Sequence, residues 1–204
     1  MTTAAGVPRL WPGSTIVCLG AGPSLTFADL TCVRDAAVHT IAINSMVFLA
    51  TWAEVLYVAD AQWWQWYRDV PNDQLPPWLF TLQPQARAHR PSVRVLRASG
   101  QTGLDTAPDA LRLGGHGGYQ AINLAVHLGA ARIVLLGYDL QPGPDGQHHC
   151  HAEHPDGNHP NYPYRRGVYA TLLAPLAALG VTIVNCSRAT SIEAIPRAAL
   201  TDVL

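Results

Sequence analysis

The chain has 204 residues, a length that suits one domain. Only 13% of the residues are charged, against roughly 25% in an average soluble protein, and 49% are apolar. The formal net charge of -1 supplies no basic field for non-specific nucleic-acid binding.

All 13 basic residues are arginines. A chain without lysine carries no Walker-type phosphate loop, no Schiff-base lysine and no lysine nucleophile. Any anion must then be held by arginine, by backbone N–H groups or by a metal. No run reaches the ~18 apolar residues of a membrane span. Residues 1–12 lack the basic and apolar regions of a signal peptide. The four cysteines, Cys18, Cys32, Cys150 and Cys186, form no C-x-x-C pair, and Cys18 and Cys186 sit inside apolar runs as buried thiols. A reduced, cytoplasmic setting is the expectation.

Residues 1–13 are expected as an N-terminal tail, and residues 14–204 as a single domain. The first strand covers residues 14–19 (STIVCL), and a helical pattern follows over 24–36. Strands come next at 38–44 (VHTIAIN) and 54–59 (EVLYVA). The Pro-, Gln- and Trp-rich stretch 69–91 reads as irregular or lid-like. A weaker strand lies at 93–96 (VRVL). Residues 117–128 (GGYQAINLAVHL) have helical apolar spacing and stop at Gly129, a good C-cap. A strand at 132–136 (RIVLL) leads into Gly137-Tyr138-Asp139. Residues 141–163 form a long polar loop. A helix over 165–179 ends at Gly180, and a last strand covers 181–185 (VTIVN). Runs apolar on both faces suit a buried parallel sheet. Strand–helix alternation makes the fold α/β: a Rossmann-like doubly wound, mainly parallel sheet.

Four constellations can carry chemistry. Gly20-Ala21-Gly22-Pro23-Ser24-Leu25 is a Gly-rich turn between strand and helix, either a phosphate cradle of backbone N–H groups or a tight turn without a ligand. The dinucleotide fingerprint is incomplete, because Leu25 stands in place of its last glycine and Asn44, not an acid, closes the second strand. Asn44, Ser45 and Asp60 sit at strand ends, as contacts for a sugar, a base or a metal, or as helix N-caps. Gly114-Gly115-His116-Gly117-Gly118 precedes a well-patterned helix, as a ligand-facing turn or a hinge. Five of the nine histidines fall between positions 148 and 159, beside Cys150, Tyr162, Arg165 and Arg166. There a histidine can act as acid or base. Alternatively His149, His151 and His154 can share a zinc ion. Trp63, Trp64, Trp66 and Tyr67 read as core, or as a stacking platform.

In their order these motifs resemble a known group. A strand running into G-x-G-P-S-L, a strand ending in Asn44, a Gly-rich turn into A-x-x-L-A and a strand ending in G-x-D are similar to the MptE-like 6-hydroxymethylpterin diphosphokinases. They are also similar to the related motility accessory factors and to bacterial sialyltransferases with a G-N-G-P-S-L motif. Proteins of phages and prophages share the layout, including an H-x-H-x-x-H-P loop and a final segment like Ser191-Ile192-Glu193-Ala194-Ile195-Pro196-Arg197. The resemblance spans roughly residues 14–200. It implies that Gly20, Gly22 and Ser24 lie at nucleotide phosphates and that Asn44 and Asp60 meet the nucleotide's sugar or base; Ala21, Ser45 and Asp139, beside them in the sequence motifs, are expected in the same nucleotide site. Gly117 and Gly118 would border donor or acceptor. His159, with His154 as competitor, would be the base, and Tyr162 would lie on the phosphate. Ala21 stands where the sialyltransferases carry Asn, and Gly117 where they carry Ser.

The function expected is nucleotide-dependent transfer, first of a glycosyl group from a nucleotide sugar. His159 or His154 would deprotonate the acceptor, with Tyr162 and Arg165 on the leaving phosphate. An alternative is an ATP-dependent diphosphokinase with Mg²⁺ on Asp60 and Asp139. Another is a non-catalytic nucleotide- or zinc-binding accessory protein. The expected partner is a nucleotide-type small molecule, with neither nucleic acid nor membrane, and homo-oligomers are compatible with the low charge.

Overall fold

The computed structural model describes residues 6–151 and 161–204. Its centre is a seven-stranded parallel sheet. The strands are β1 (Thr15–Leu19), β2 (His39–Ile43), β3 (Val55–Val58), β4 (Trp78–Thr81), β5 (Arg94–Val95), β8 (Arg132–Leu136) and β9 (Thr182–Asn185), in the order β5-β4-β3-β2-β1-β8-β9. A two-stranded ribbon pairs β6 (Arg97–Ala98) with β7 (Ala110–Leu111). The helices are α1 (Phe27–Asp35), α2 (Ala61–Trp66), α3 (Gly117–Leu128), α4 (Tyr162–Gly167) and α5 (Ala170–Ala178).

Alternate residues of each strand point to opposite faces, and here both faces are covered. Ile16, Ile41, Tyr57 and Ile133 pack with Ile122 of α3 and Leu172 of α5. Val17, Ala42, Leu56 and Val134 pack on the other side with Leu30 of α1 and Trp63 of α2. The chain is thus an α/β domain with a Rossmann-like, doubly wound parallel sheet. Among the described residues no helix is long and apolar enough to cross a membrane.

The structure departs from the sequence reading in four places. The stretch 69–91 contains β4, which pairs with β3 and β5 and buries Phe80 completely. Pro76 and Pro77 stand just before the strand, where proline's missing donor breaks no ladder bond. α1 starts at Phe27 and not at Ser24: Thr26 and Asp29 form a capping box. The pattern over 165–179 is two helices. Between them Tyr169 N–H donates to Arg166 O and Thr171 N–H to Val168 O, both three residues back, so the junction winds more tightly than an α-helix. The N-terminal tail is docked from residue 6. Val7 is buried, Val7 N–H donates to Pro108 O (2.7 Å), Trp11 N–H donates to Leu128 O (2.8 Å), and the Trp11 ring stacks on His39 at 4.3 Å.

Candidate functional site

The chain winds outward from β1 through β2 to β5 on one side and passes to β8 and β9 on the other. Connections leave a crevice at the carboxyl ends of the strands where the winding reverses. A cleft of ≈ 480 Å³ opens there, walled by the turns after β1, β2, β3 and β8, the start of α3, His148, His149, His151 and α4. Ligand sites commonly hold ~300–1,000 Å³.

The Gly-rich turn forms one wall, and its glycines serve packing. Gly20 N–H donates to Leu136 O and Gly22 N–H to Gly137 O, each at 2.8 Å. A Cβ at Gly20 would lie 2.6 Å from Gly137 O, and one at Gly22 would collide with Asp139 Oδ1. Asp139 Oδ2 accepts from Ser24 N–H (2.7 Å), and its Oδ1 accepts from the Ser24 hydroxyl (2.9 Å). Ser24 Oγ also accepts from Ala189 N–H (3.1 Å). Ser24 therefore ties three turns together and does not line the cleft, whereas Gly20, Ala21, Gly22 and Asp139 do. Burial raises the Asp139 carboxyl above its usual range, against the Ser24 hydrogen bonds.

Asn44 and Asp60 meet at the ends of β2 and β3. Asn44 takes the left-handed conformation (φ 51), which Asn tolerates better than most residues. Its Oδ1 accepts from Ala59 N–H and its Nδ2 donates to Asp60 Oδ2, both at 3.1 Å. Asp60 precedes α2 but makes no side-chain cap. Both residues line the cleft. Ser45 faces away: its buried hydroxyl accepts from Trp63 Nε1–H (3.1 Å). Trp63 and Trp64 are core residues in edge contact, while Trp66 and an edge of Trp63 reach the cleft.

His116, for which the sequence suggests no separate role, is the pivot of the far wall. Its Nδ1 accepts from Gly118 N–H (3.2 Å), which caps α3. That leaves the Nε2 proton to donate to Tyr169 Oη at 3.1 Å. Enclosure, then the nearby Arg165 charge, push His116 down to about 3, so it stays neutral. Gly117 and Gly118 border the cleft through close packing. A Cβ at Gly117 would sit 3.0 Å from Ala59 Cβ, and Gly118 O accepts from Tyr138 Oη–H (3.0 Å).

α4 brings Tyr162 and Arg165 to the cleft, with Tyr162 Oη 2.9 Å from His148 Nδ1. Arg165 is the cation of this wall. Burial lowers its pKa, and attraction from Asp60 partly offsets that. Among the described residues no hydrogen bond engages its guanidinium. His149 and His151 line the cleft with parallel rings 5.2 Å apart. His154 and His159 lie outside the described residues. Among the described residues no group of three or more His, Cys, Asp or Glu side chains is placed to hold a metal. Of the carboxylates expected to take Mg²⁺, Asp139 has both oxygens on Ser24 and Asp60 has one on Asn44. Cys150 is turned inward: its N–H donates to Ala21 O, its Sγ lies 3.7 Å from Met46 Sδ, and burial pushes the thiol up to about 11.

The cleft therefore offers a partly desolvated cation, a polar Asn–Asp pair and an indole. No family model matches this chain, and neither a curated protein nor a solved structure matches it.

Proposed function

We propose that the protein is a nucleotide-dependent transferase, acting first on nucleotide sugars. The observation that carries the reading is Arg165. It is a cation drawn into the cleft wall, with no hydrogen-bonded partner among the described residues, beside the Asn44–Asp60 pair at the switch point of the sheet. Leaving a guanidinium partly desolvated costs free energy unless a ligand anion completes it. Phosphate oxygens suit its fork geometry. Asp60 is a fitting acceptor for ribose hydroxyls, and Trp66 gives a flat apolar surface for a base.

In glycosyl transfer the acceptor oxygen bonds to the sugar's anomeric carbon as the bond from that carbon to the phosphate oxygen breaks. A histidine of the loop, His159 or His154, takes the acceptor proton. Arg165, with Tyr162, receives the charge that builds on the departing phosphate. The test is a thermal-shift screen against CMP, UDP, GDP, ADP, their sugar conjugates and ATP, with and without divalent metals. One nucleotide class and its sugar conjugate should raise the transition temperature. Flat responses throughout would overturn the proposal. Stabilisation by ATP only, and only with Mg²⁺, would shift the reading to diphosphate transfer.

A further inference from the structure

The Gly-rich turn has the sequence of a phosphate cradle, but among the described residues every amide donor of residues 20–25 except Ala21 N–H is already engaged. Gly20 and Gly22 N–H groups go to carbonyls of the β8 end, at 2.8 Å each. The next amide able to donate, Ser24 N–H, goes to Asp139 Oδ2 at 2.7 Å, and the Ser24 hydroxyl goes to Oδ1 at 2.9 Å. The start of α1 is closed as well: Thr26 N–H and hydroxyl both donate to Asp29 Oδ2 (2.9 and 2.7 Å), and Asp29 also takes Arg188 in two-pronged fashion. Asp139 itself is 1% exposed and lies so near Gly22 that a Cβ there would collide with it. A buried carboxylate thus fills the space and takes the Ser24 donors that a phosphate would use, while backbone carbonyls take those of Gly20 and Gly22. A second anion against it would meet a like charge at short range in a poorly screened site.

We infer that Asp139 is the resident anion of the Gly-rich turn, so that the negative end of a ligand is received at Arg165 and not at residues 20–24. This makes Asp139 a specificity-determining residue, because it fixes which way round an anionic ligand lies. The first half stands on the contacts alone; the second rests on the reading of the cleft as a nucleotide site.

The experiment is thermal unfolding of the wild type, Asp139→Ala, Asp139→Asn, Ser24→Ala and Arg165→Gln. Each is measured in sodium chloride, sodium formate and sodium phosphate at equal ionic strength. Asp139→Ala should be less stable than the wild type in chloride and recover much of the loss in formate, which is the missing carboxylate without its stem. Asp139→Asn refills the space and should respond to formate no more than the wild type. If Asp139→Ala is unfolded in chloride, a cooperative transition regained in formate is the same result. An Asp139→Ala chain that behaves alike in chloride and formate, folded or not, overturns the assignment, and so does an equal formate response in Asp139→Asn. For the second half, phosphate should stabilise the wild type and Ser24→Ala but not Arg165→Gln. Phosphate stabilisation that survives Arg165→Gln and is lost in Ser24→Ala overturns that half alone. No phosphate response in the wild type removes it together with the nucleotide reading, while the formate result still decides the first half.

Discussion

Replacing Asn44 isolates a conformational strain that the cleft depends on. Asn44 stands in the left-handed region (φ 51) at the end of β2 and holds the amide of Ala59 at the end of β3. Alanine there meets the clash of Cβ with the following carbonyl, about 1–2 kcal/mol. The lost hydrogen bond to Ala59 N–H adds about 1 kcal/mol, since that amide is only partly buried. The contact with the exposed Asp60 adds little in water. Asn44→Ala should therefore lose about 2–3 kcal/mol, and Asn44→Gly, which accepts the left-handed conformation freely, only about 1–2 kcal/mol. The assay is urea unfolding followed by tryptophan fluorescence, with the denaturant slope unchanged across the three proteins. Asn44→Gly as unstable as Asn44→Ala would refute the strain argument. Asn44→Ala within about 0.5 kcal/mol of wild type would refute both contributions.

Other substitutions separate packing from ligand contact. Ser45→Ala leaves the buried Trp63 N–H without its acceptor and should cost about 1–3 kcal/mol, while any nucleotide-induced thermal shift stays intact; a lost shift at full stability would contradict this. Gly117→Ser, the residue of the sialyltransferase turn, places its Cβ 3.0 Å from Ala59 Cβ and 3.3 Å from Ile43 Cγ2. It should destabilise by about 1–3 kcal/mol in the same urea assay, and a neutral result would show that the α3 contact is slack. His116 has a folded-state pKa of about 3 against 6.5 unfolded, so between those values the unfolded chain binds more protons. Stability should fall as pH drops from 6.5 toward 3, and His116→Gln should flatten part of the slope, with His127, which burial shifts the same way, contributing to the remainder. Urea midpoints at stepped pH measure this, and an unchanged slope in His116→Gln would contradict it.

The sheet was legible because the pattern was strong: β1, β2, β3, β8 and β9 are apolar on both faces, and a glycine, an asparagine or an aspartate follows several of them. β4 was hidden by Pro76 and Pro77, whose loop signal ends one residue before the pairing begins. The start of α1 was misplaced because Ser24 looks like a cap, and only the fold shows that its donors go to Asp139, 115 positions away. The fold brings Asn44, Asp60, Asp139, Tyr162 and Arg165, singled out from their places at strand ends and beside the His-rich loop, to one cleft. Ser24 and Ser45 were read as possible caps, and the partners that make them structural were not foreseen. Their partners, Asp139 and Trp63, are brought by other elements, and a hydroxyl's direction leaves no mark in a single sequence. The place of His116 between Gly118 and Tyr169 was beyond local reading for the same reason.

Arg165 is the proposed receiver of a nucleotide's phosphate. Calorimetric titration of the wild type and Arg165→Gln with CMP, UDP, GDP, ADP and the matching nucleosides tests this role most directly. One nucleotide should bind the wild type, Arg165→Gln should weaken it by about tenfold or more (about 1.4 kcal/mol), and its nucleoside should bind both proteins equally. Binding of no nucleotide, or equal nucleotide affinity in Arg165→Gln, would contradict it.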